Sequence, residues 1–238
     1  MSITDKKRLV KLLSFMSTFD GGLYVVKRKD RKNNNNAMFI MNMRAENRDY
    51  IEWVAETVRN VTGAIIRERP DYSTDGCTRQ PQLRLESQRH PFLTQLRNRI
   101  YTPDNKKVID LHMLTLMDAE ALAIMFMADG GSYMDKGKYP SVALHTKGFS
   151  EADNLAMSKS IYEKLGIRST VNRHNNYFFL RIKSADVQLF VDTVRPHILP
   201  SFLYKLERLA PVPATAQDGD IVCTSVQAEE ASRNDSSQ

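Results

Sequence analysis

The chain has 238 residues, of which 42% are hydrophobic and 26% are charged, as is typical of a soluble globular protein with one large domain or two smaller ones. No apolar run approaches the roughly 20 residues of a membrane span and no signal-peptide pattern opens the chain, so we expect an intracellular protein without a membrane partner. Cys77 and Cys223 are far apart and have no other ligand residues at useful spacing. This argues against a disulfide framework or a zinc site and fits a reducing compartment.

The net charge of +6 is unevenly distributed. Residues 211–238 hold five acids and one arginine, a net charge of −4, so residues 1–210 carry +10. A basic body of this size attracts polyanions, above all phosphate backbones. A solvated basic surface is the alternative, which charge alone leaves open.

An element pattern occurs twice along the chain. For the first copy we predict, in chain order, helix 6–19, strands 25–32 and 37–43, helix 47–61, two strands of which 83–87 is the clearer, helix 91–100 and a basic segment 97–107. For the second we predict helix 118–129, strands 133–138 and 141–146, helix 150–164, two strands of which 180–184 is the clearer, helix 185–198 and a basic segment 195–205. Each copy therefore reads αββαββα, which predicts an α+β fold.

The first helix of each copy ends in the same pattern, Asp-Gly-Gly-x-Tyr, at Asp20 and again 109 residues later at Asp129. We expect the glycines to adopt the left-handed geometry of a helix C-terminus. An aspartate there faces the negative end of the helix dipole and needs a cation beside it. Equivalent positions of the two copies are 109 residues apart at the first helix, then 103, and then 97 or 98 further along the chain. The clearer strands of the two copies are aligned with Arg84 against Arg181.

These spacings predict three segments. Residues 1–108 form the first repeat, residues 109–210 form the second, and residues 211–238 form a disordered acidic tail, because that stretch is polar and has little periodicity.

The residues around the two aspartates allow a family to be named. Leu13 to Gly21 and Leu122 to Gly130 resemble the two signature helices of the LAGLIDADG homing endonucleases, in the monomeric two-repeat branch encoded by group I introns. The resemblance spans roughly residues 9–206. In the first helix Phe15 stands where the family usually has glycine, and Thr18 stands where it has an acid or a small residue.

The resemblance implies a metal-dependent active site. The two helices would pack side by side and bring Asp20 and Asp129 together, and two carboxylates this close repel each other unless cations lie between them. With the carbonyls of Gly21 and Gly130, they would hold Mg²⁺, for which Mn²⁺ can substitute. Such a site can activate water and stabilise the leaving 3′-oxygen of a phosphodiester by a two-metal arrangement.

The resemblance also places a catalytic lysine in each copy. Lys107 and Lys205 stand at equal spacing from Arg97 and Arg195 and would polarise water or balance charge on the phosphate. A one-residue slip would give the first role to Lys106 instead, and the sequence leaves this choice open.

Two four-stranded antiparallel sheets would form a saddle over double-stranded DNA, with base and phosphate contacts from outward side chains. The predicted DNA-binding residues are Lys27, Arg28, Lys29, Arg44, Arg67, Arg69, Gln82, Arg84, Lys136, Lys138, His145, Lys147, Arg173, Arg181 and Lys183.

The favoured function is a site-specific, Mg²⁺-dependent DNA endonuclease that makes a staggered double-strand break at a long target, acting as a monomer. One alternative is a maturase that binds its intron RNA and assists splicing. Another is a DNA-binding regulator of the same fold that no longer cuts. The presence of both Asp20 and Asp129 favours the nuclease, because a protein that only binds has no chemical reason to keep both acids.

Overall fold

The computed structural model describes residues 3–25, 36–69, 80–135 and 139–209. The elements of the first repeat are α1 (Ile3–Thr18), β1 (Gly22–Tyr24), β2 (Met38–Arg44), α2 (Arg48–Arg59), β3 (Ala64–Arg69), β4 (Gln82–Ser87) and α3 (Pro91–Ile100). After the short helix α4 (Leu111–Thr115), those of the second are α5 (Ala119–Asp129), β5 (Gly130–Asp135), β6 (Tyr139–Leu144), α6 (Glu151–Leu165), β7 (Ser169–His174), β8 (Tyr177–Ile182), α7 (Val187–Val194) and α8 (Tyr204–Glu207).

Both repeats form the same antiparallel sheet. The strand orders are β1-β2-β4-β3 and β5-β6-β8-β7, so the predicted α+β class and αββαββα pattern are confirmed. In β4, alternate side chains are buried on one face and more exposed on the other. The two sheets fall on either side of the proposed repeat boundary at residue 108, which itself stays a prediction, and residues 210–238 lie outside the described chain.

The signature helices α1 and α5 contact each other, and their apolar residues belong to one core shared by both repeats. In α5 every residue from Ala121 to Met127 is buried. Phe15 is also fully buried and stacks on Phe19 with ring centroids 6.2 Å apart, so the helix pair accommodates a large residue where the family usually has glycine. No helix in the described ranges is long and apolar enough to cross a membrane.

The strands after the two aspartates begin earlier than predicted. β5 starts at Gly130, directly after α5, whereas three residues separate the end of α1 from the start of β1 at Gly22. Residues 26–32 of the strand predicted at 25–32 lie outside the described chain. Gly130 has φ −86° rather than the expected left-handed geometry. Its requirement is steric, because a Cβ there would lie 2.4 Å from the carbonyl oxygen of Phe126. The prediction of a left-handed conformation at Gly130 was therefore wrong, and glycine is needed there because a side chain would not fit.

The strand register corrects the alignment of the repeats. Along one row of the first sheet Gly22 faces Ile40, which faces Glu86. In the second sheet Gly131 faces Ala143, which faces Arg181. Arg181 thus corresponds to Glu86 and not to Arg84. A slip of two residues keeps the alternation of a strand intact, so the sequence pattern could not detect it.

Candidate active site

The two aspartates lie at equivalent ends of the signature helices, half-buried at the junction of the repeats. Burial and, to a lesser extent, the negative charge of Asp129 raise the pKa of Asp20, because the two carboxylates lie close to each other. The chain therefore brings together one acid from each repeat, as the sequence predicts.

Asp20 has a hydrogen-bond donor that the sequence analysis missed. The hydroxyl of Tyr50, in the first turn of α2, donates to Oδ2 of Asp20 at 2.5 Å. Burial raises the pKa of Asp20 to about 6, although the Tyr50 hydrogen bond and the lysines oppose this rise. Only the position of Tyr50 on the apolar face of a predicted helix could have drawn attention to it, and that position suits any core tyrosine.

Asp129 has a different environment. Burial raises the pKa of Asp129, while the positive charges of Lys107 and Lys205 lower it. The backbone carbonyl of Asp129 accepts a hydrogen bond from His145 N at 2.7 Å, which joins the end of α5 to the end of β6. The cation that an aspartate at a helix C-terminus needs is thus supplied by lysines.

Lys107 is delivered by a tight reversal after α3. Tyr101 pairs with Lys107 in an antiparallel bridge, and Asn105 takes the positive φ of 62° that the turn requires, which asparagine tolerates. The Lys107 ammonium donates to the carbonyls of Thr18 at 3.0 Å and Gly21 at 2.6 Å, at the end of α1. Lys106 is exposed. The geometry therefore favours Lys107 as the lysine of this site.

Lys205 lies on α8 and takes the matching place in the second repeat. Its ammonium donates to the carbonyls of Phe126 at 3.1 Å and Met127 at 2.7 Å in the last turn of α5. Burial lowers the pKa of Lys205 to about 8, against the opposing effect of the two acids. Its backbone carbonyl accepts a hydrogen bond from Ser132, which fixes α8 on β5.

The electrostatic effects of the lysines cross between the repeats. Lys205 lowers the pKa of Asp20 more than Lys107 does. Lys107 has the larger such effect on Asp129. Each lysine thus binds the helix end of its own repeat and acts most on the acid of the other, so the four groups form one site.

The donor set fits a hard divalent cation that shares its ligands with a substrate. Within the described ranges no group of three or more histidine, cysteine, aspartate or glutamate side chains could hold a metal ion. Two carboxylates with water and phosphate oxygens suit Mg²⁺, which is usually bound through one or two carboxylates and substrate phosphates. Asp20 and Asp129 would hold it. Of the predicted carbonyl ligands, that of Gly21 is bound to Lys107.

A groove leads away from Asp20. A cavity of about 290 Å³ is lined by Asp20, Arg44, Tyr204 and Lys205 among other residues. An adjoining cavity shares Arg44 and Tyr204 and extends to Arg208. Glu46 lines both cavities and pairs with Arg44 at 3.4 Å, so Lys205 and Arg208 are the lining cations that a polyanion would meet on its way to the acids.

The open face of the first sheet carries most of the predicted DNA-binding residues of that repeat. Arg44, Gln82 and Arg69 form one row across the sheet. Arg84 and Arg67 belong to the next row, but Arg84 donates to Glu86 at 2.5 Å. Lys27, Arg28 and Lys29 lie outside the described residues.

The open face of the second sheet is aromatic as well as basic. Arg181 donates to the hydroxyl of Tyr133 at 2.7 Å, and its buried Nε has no partner in the described part of the chain. Lys147 lies 4.6 Å from the centre of the Tyr177 ring. His145 is exposed beside Gly131, and burial, followed by the charges of Lys147 and Lys205, lowers its pKa.

The remaining predicted contacts of the second repeat lie elsewhere. Arg173 faces Phe178, which lies two residues before the buried Leu180 and so on the same face of β8. Arg173 is exposed, but it therefore projects on the core side of the sheet and not on the side of Arg181. Lys183 is exposed just after β8. Lys136 and Lys138 fall outside the described ranges.

Comparisons with known proteins identify the family of this chain. Residues 20–190 match the sequence profile of the LAGLIDADG DNA endonuclease family. The probable intron-encoded DNA endonuclease 3 of Mycosarcoma maydis is 32% identical over 96 residues, 40% of this chain and 68% of that protein. The probable intron-encoded endonuclease 1 of Wickerhamomyces canadensis is 26% identical over 192 residues, 78% of this chain and 79% of that protein.

A solved structure, the homing endonuclease I-WcaI bound to its DNA recognition sequence, shares the fold. Its TM-score is 0.68 at 22% identity, over 84% of this chain and 86% of that one. The predicted family, fold class and enzyme class are therefore confirmed. The chain belongs to the LAGLIDADG DNA endonuclease family.

Proposed function

We propose that the chain cuts both strands of a long, specific double-stranded DNA target and leaves staggered ends, with Mg²⁺ as its cofactor and Mn²⁺ as a substitute. The observation that supports this most is the junction of the repeats, where one coupled carboxylate and one half-buried lysine come from each repeat. One acid per repeat allows one chain to act on two strands, so we also propose that it works as a monomer.

The roles of the residues follow from their contacts. A bound divalent cation would supply Lewis-acid activation of water and neutralise charge on the phosphate. Asp20 and Asp129 offer the oxygens that hold it. The ammonium groups of Lys107 and Lys205, held at the helix ends, place positive charge where the phosphate becomes more negative.

The open faces of the sheets support a DNA partner. The first carries the exposed arginines Arg44, Arg67 and Arg69, and the second carries Arg181, whose buried Nε has no hydrogen-bond partner among the described residues. Arginine can pair with both acceptors of guanine or with phosphate. We propose that these faces read the two halves of the target.

Incubation with genomic DNA and with the intronless form of the host gene tests this function. With Mg²⁺ we expect one staggered break, mapped by sequencing of the ends, and no break with EDTA. An Asp129→Asn variant is the control for contaminating nucleases. Binding of the same site without any break would contradict the nuclease and favour a protein that only binds.

A further inference from the structure

Tyr50 is held rigidly beside the active site. Its side chain is 0% exposed. Its ring packs against Phe202, with centroids 5.2 Å apart and the planes nearly perpendicular, and against Trp53 at 5.8 Å. The neighbouring Asp49 accepts a hydrogen bond from Ser201 N at 3.0 Å, which ties the start of α2 to the segment before Lys205. The hydroxyl of Tyr50 therefore cannot follow a movement of its partner.

That partner is Oδ2 of Asp20, at 2.5 Å. A hydroxyl that donates to a carboxylate forms one of the shorter and stronger hydrogen bonds in proteins. Because the tyrosine is fixed by packing, the bond fixes the rotation of the Asp20 carboxylate. Oδ1 of Asp20 is then the oxygen that the bond leaves open.

The second repeat has no equivalent of this bond. The burial patterns of α2 and α6 match Ile51 with Asn154 and Val54 with Met157, which puts Asp153 at the position of Tyr50. The Asp153 carboxylate instead accepts hydrogen bonds from Ile109 N and from the backbone N and hydroxyl of Ser150 at the start of α6. No hydrogen bond from the described residues acts on the Asp129 carboxylate.

We propose that Tyr50 is a positioning residue for Asp20 and that it makes the two halves of the active site unequal. This inference rests on the proposed function. Side chains that hydrogen-bond a metal ligand orient it, and their loss costs about 10- to 100-fold in metal affinity or activity. Removal of the Tyr50 hydroxyl therefore slows the strand whose cleavage depends most on Asp20 more than it slows the other strand.

The test compares Tyr50→Phe with the wild-type chain on a supercoiled plasmid that carries the mapped target, with the two strands labelled separately. Phenylalanine keeps the packing of the ring and removes only the hydroxyl. We expect one strand to be cut at least about tenfold more slowly, so that nicked circles accumulate with the nick always in the same strand. Tyr162→Phe is the matched control, because Tyr162 is 56% exposed on α6, and both of its strand rates should stay at the wild-type values.

Equal slowing of both strands by Tyr50→Phe would overturn the proposal, because loss of folded protein affects both strands alike. Unchanged rates would overturn it as well. A second readout needs neither DNA nor turnover: the affinity for Mn²⁺ of the chain alone, measured from the paramagnetic resonance of the free ion. We expect Tyr50→Phe to weaken Mn²⁺ binding by about tenfold, and equal affinity would contradict the role. A wild-type chain that binds Mn²⁺ but cuts nothing would contradict the proposed function separately.

Discussion

The two repeats keep the same groups at one end of the helix pair and opposite groups at the other. At the lower end, Asp20 corresponds to Asp129, and both are accompanied by a lysine that binds the helix carbonyls. At the upper end, Lys11 corresponds to Glu120 at the same spacing of 109 residues, and the two form an ion pair at 2.9 Å. Arg8 adds a second contact to Glu120 at 2.6 Å.

This difference shows what the interface between the repeats requires. Equivalent positions of a pseudo-symmetric helix pair face each other, so identical charges there repel. At the lower end we propose that the repulsion between the acids is functional, because it would create a place for a cation. At the upper end no cation is needed, and an attraction between opposite charges replaces the repulsion between like charges. The first repeat is therefore complementary to the second and not to another copy of itself.

The largest effect is expected at the lower end. Asp20→Asn or Asp129→Asn keeps the shape of the side chain but removes a charged metal ligand, so we expect cleavage to fall by at least about 1000-fold, since metal assistance contributes several kcal/mol. Single-turnover cleavage and a binding assay with the same duplex check this. DNA affinity should stay near that of the wild-type chain, and a large loss of affinity would mark the aspartate as structural.

The next effect concerns the upper end. Glu120→Lys places a third positive group beside Arg8 and Lys11, although Lys11 keeps its contact with Asp118. Since the pair is partly buried, we expect the free energy of unfolding to fall by about 1–3 kcal/mol. Denaturant unfolding measures this cost. A Lys11→Glu change in the same chain should restore part of the stability, and no recovery would contradict the complementarity. Glu163→Gln is the control, since its pair with Lys159 is exposed and 3.7 Å long.

The same pair makes stability depend on pH. Burial raises the pKa of Glu120, but hydrogen bonds from Arg8 and Lys11 outweigh it and lower the pKa from 4.5 to about 2. A carboxylate whose folded pKa is depressed stabilises the chain above its unfolded pKa, so this contribution is complete above pH 4.5 and is lost as the pH falls towards 2. The difference in unfolding free energy between wild type and Glu120→Gln should therefore shrink over this interval. A constant difference would contradict the assignment.

A smaller effect tests the crossed action of the lysines. Lys205→Met should slow cleavage by about 100-fold, because it removes positive charge from a site where the phosphate becomes more negative. It should also raise the pKa of Asp20 and move the rising limb of the pH–rate profile to higher pH.

The choice between Lys107 and Lys106 is tested by comparing Lys107→Met with Lys106→Met. Lys106→Met is the matched control, since Lys106 is exposed. Equal effects of these two variants would show that Lys107 is not the lysine of the site.

The smallest effect should appear on the sheets, where Glu86 and Arg181 occupy equivalent positions with opposite charge. Arg181→Ala should lower the free energy of discrimination against the wrong base by about 1–3 kcal/mol, and so relax specificity at one base pair in one half of the target. Cleavage of targets with single base-pair changes checks this. Arg173→Ala is the comparison, because Arg173 lies on the other side of its strand, and it should leave base preference unchanged. An equal change of preference in both variants would contradict the register.

The fold was predictable because its signals are local and occur twice. The Asp-Gly-Gly endings mark both signature helices, and helix α3 has the predicted bounds of 91–100. The alignment of β4 with β8 was not predictable, because alternation with a period of two reads the same after a slip of two residues.

The candidate site was predictable only in part. Asp20, Asp129, Lys107 and Lys205 could be picked out because they repeat at matched spacing. Tyr50 could not, because it has no counterpart in the second repeat and its contact with Asp20 depends on tertiary packing. The roles of all these residues stay predictions until they are measured.

The most direct test of the account is the position of a bound ion. Crystals of the chain with its target duplex and Mn²⁺ should show anomalous scattering from manganese within about 2.2 Å of carboxylate oxygens of both Asp20 and Asp129. Manganese bound by neither aspartate, or by only one of them, would contradict a metal site shared between the two repeats.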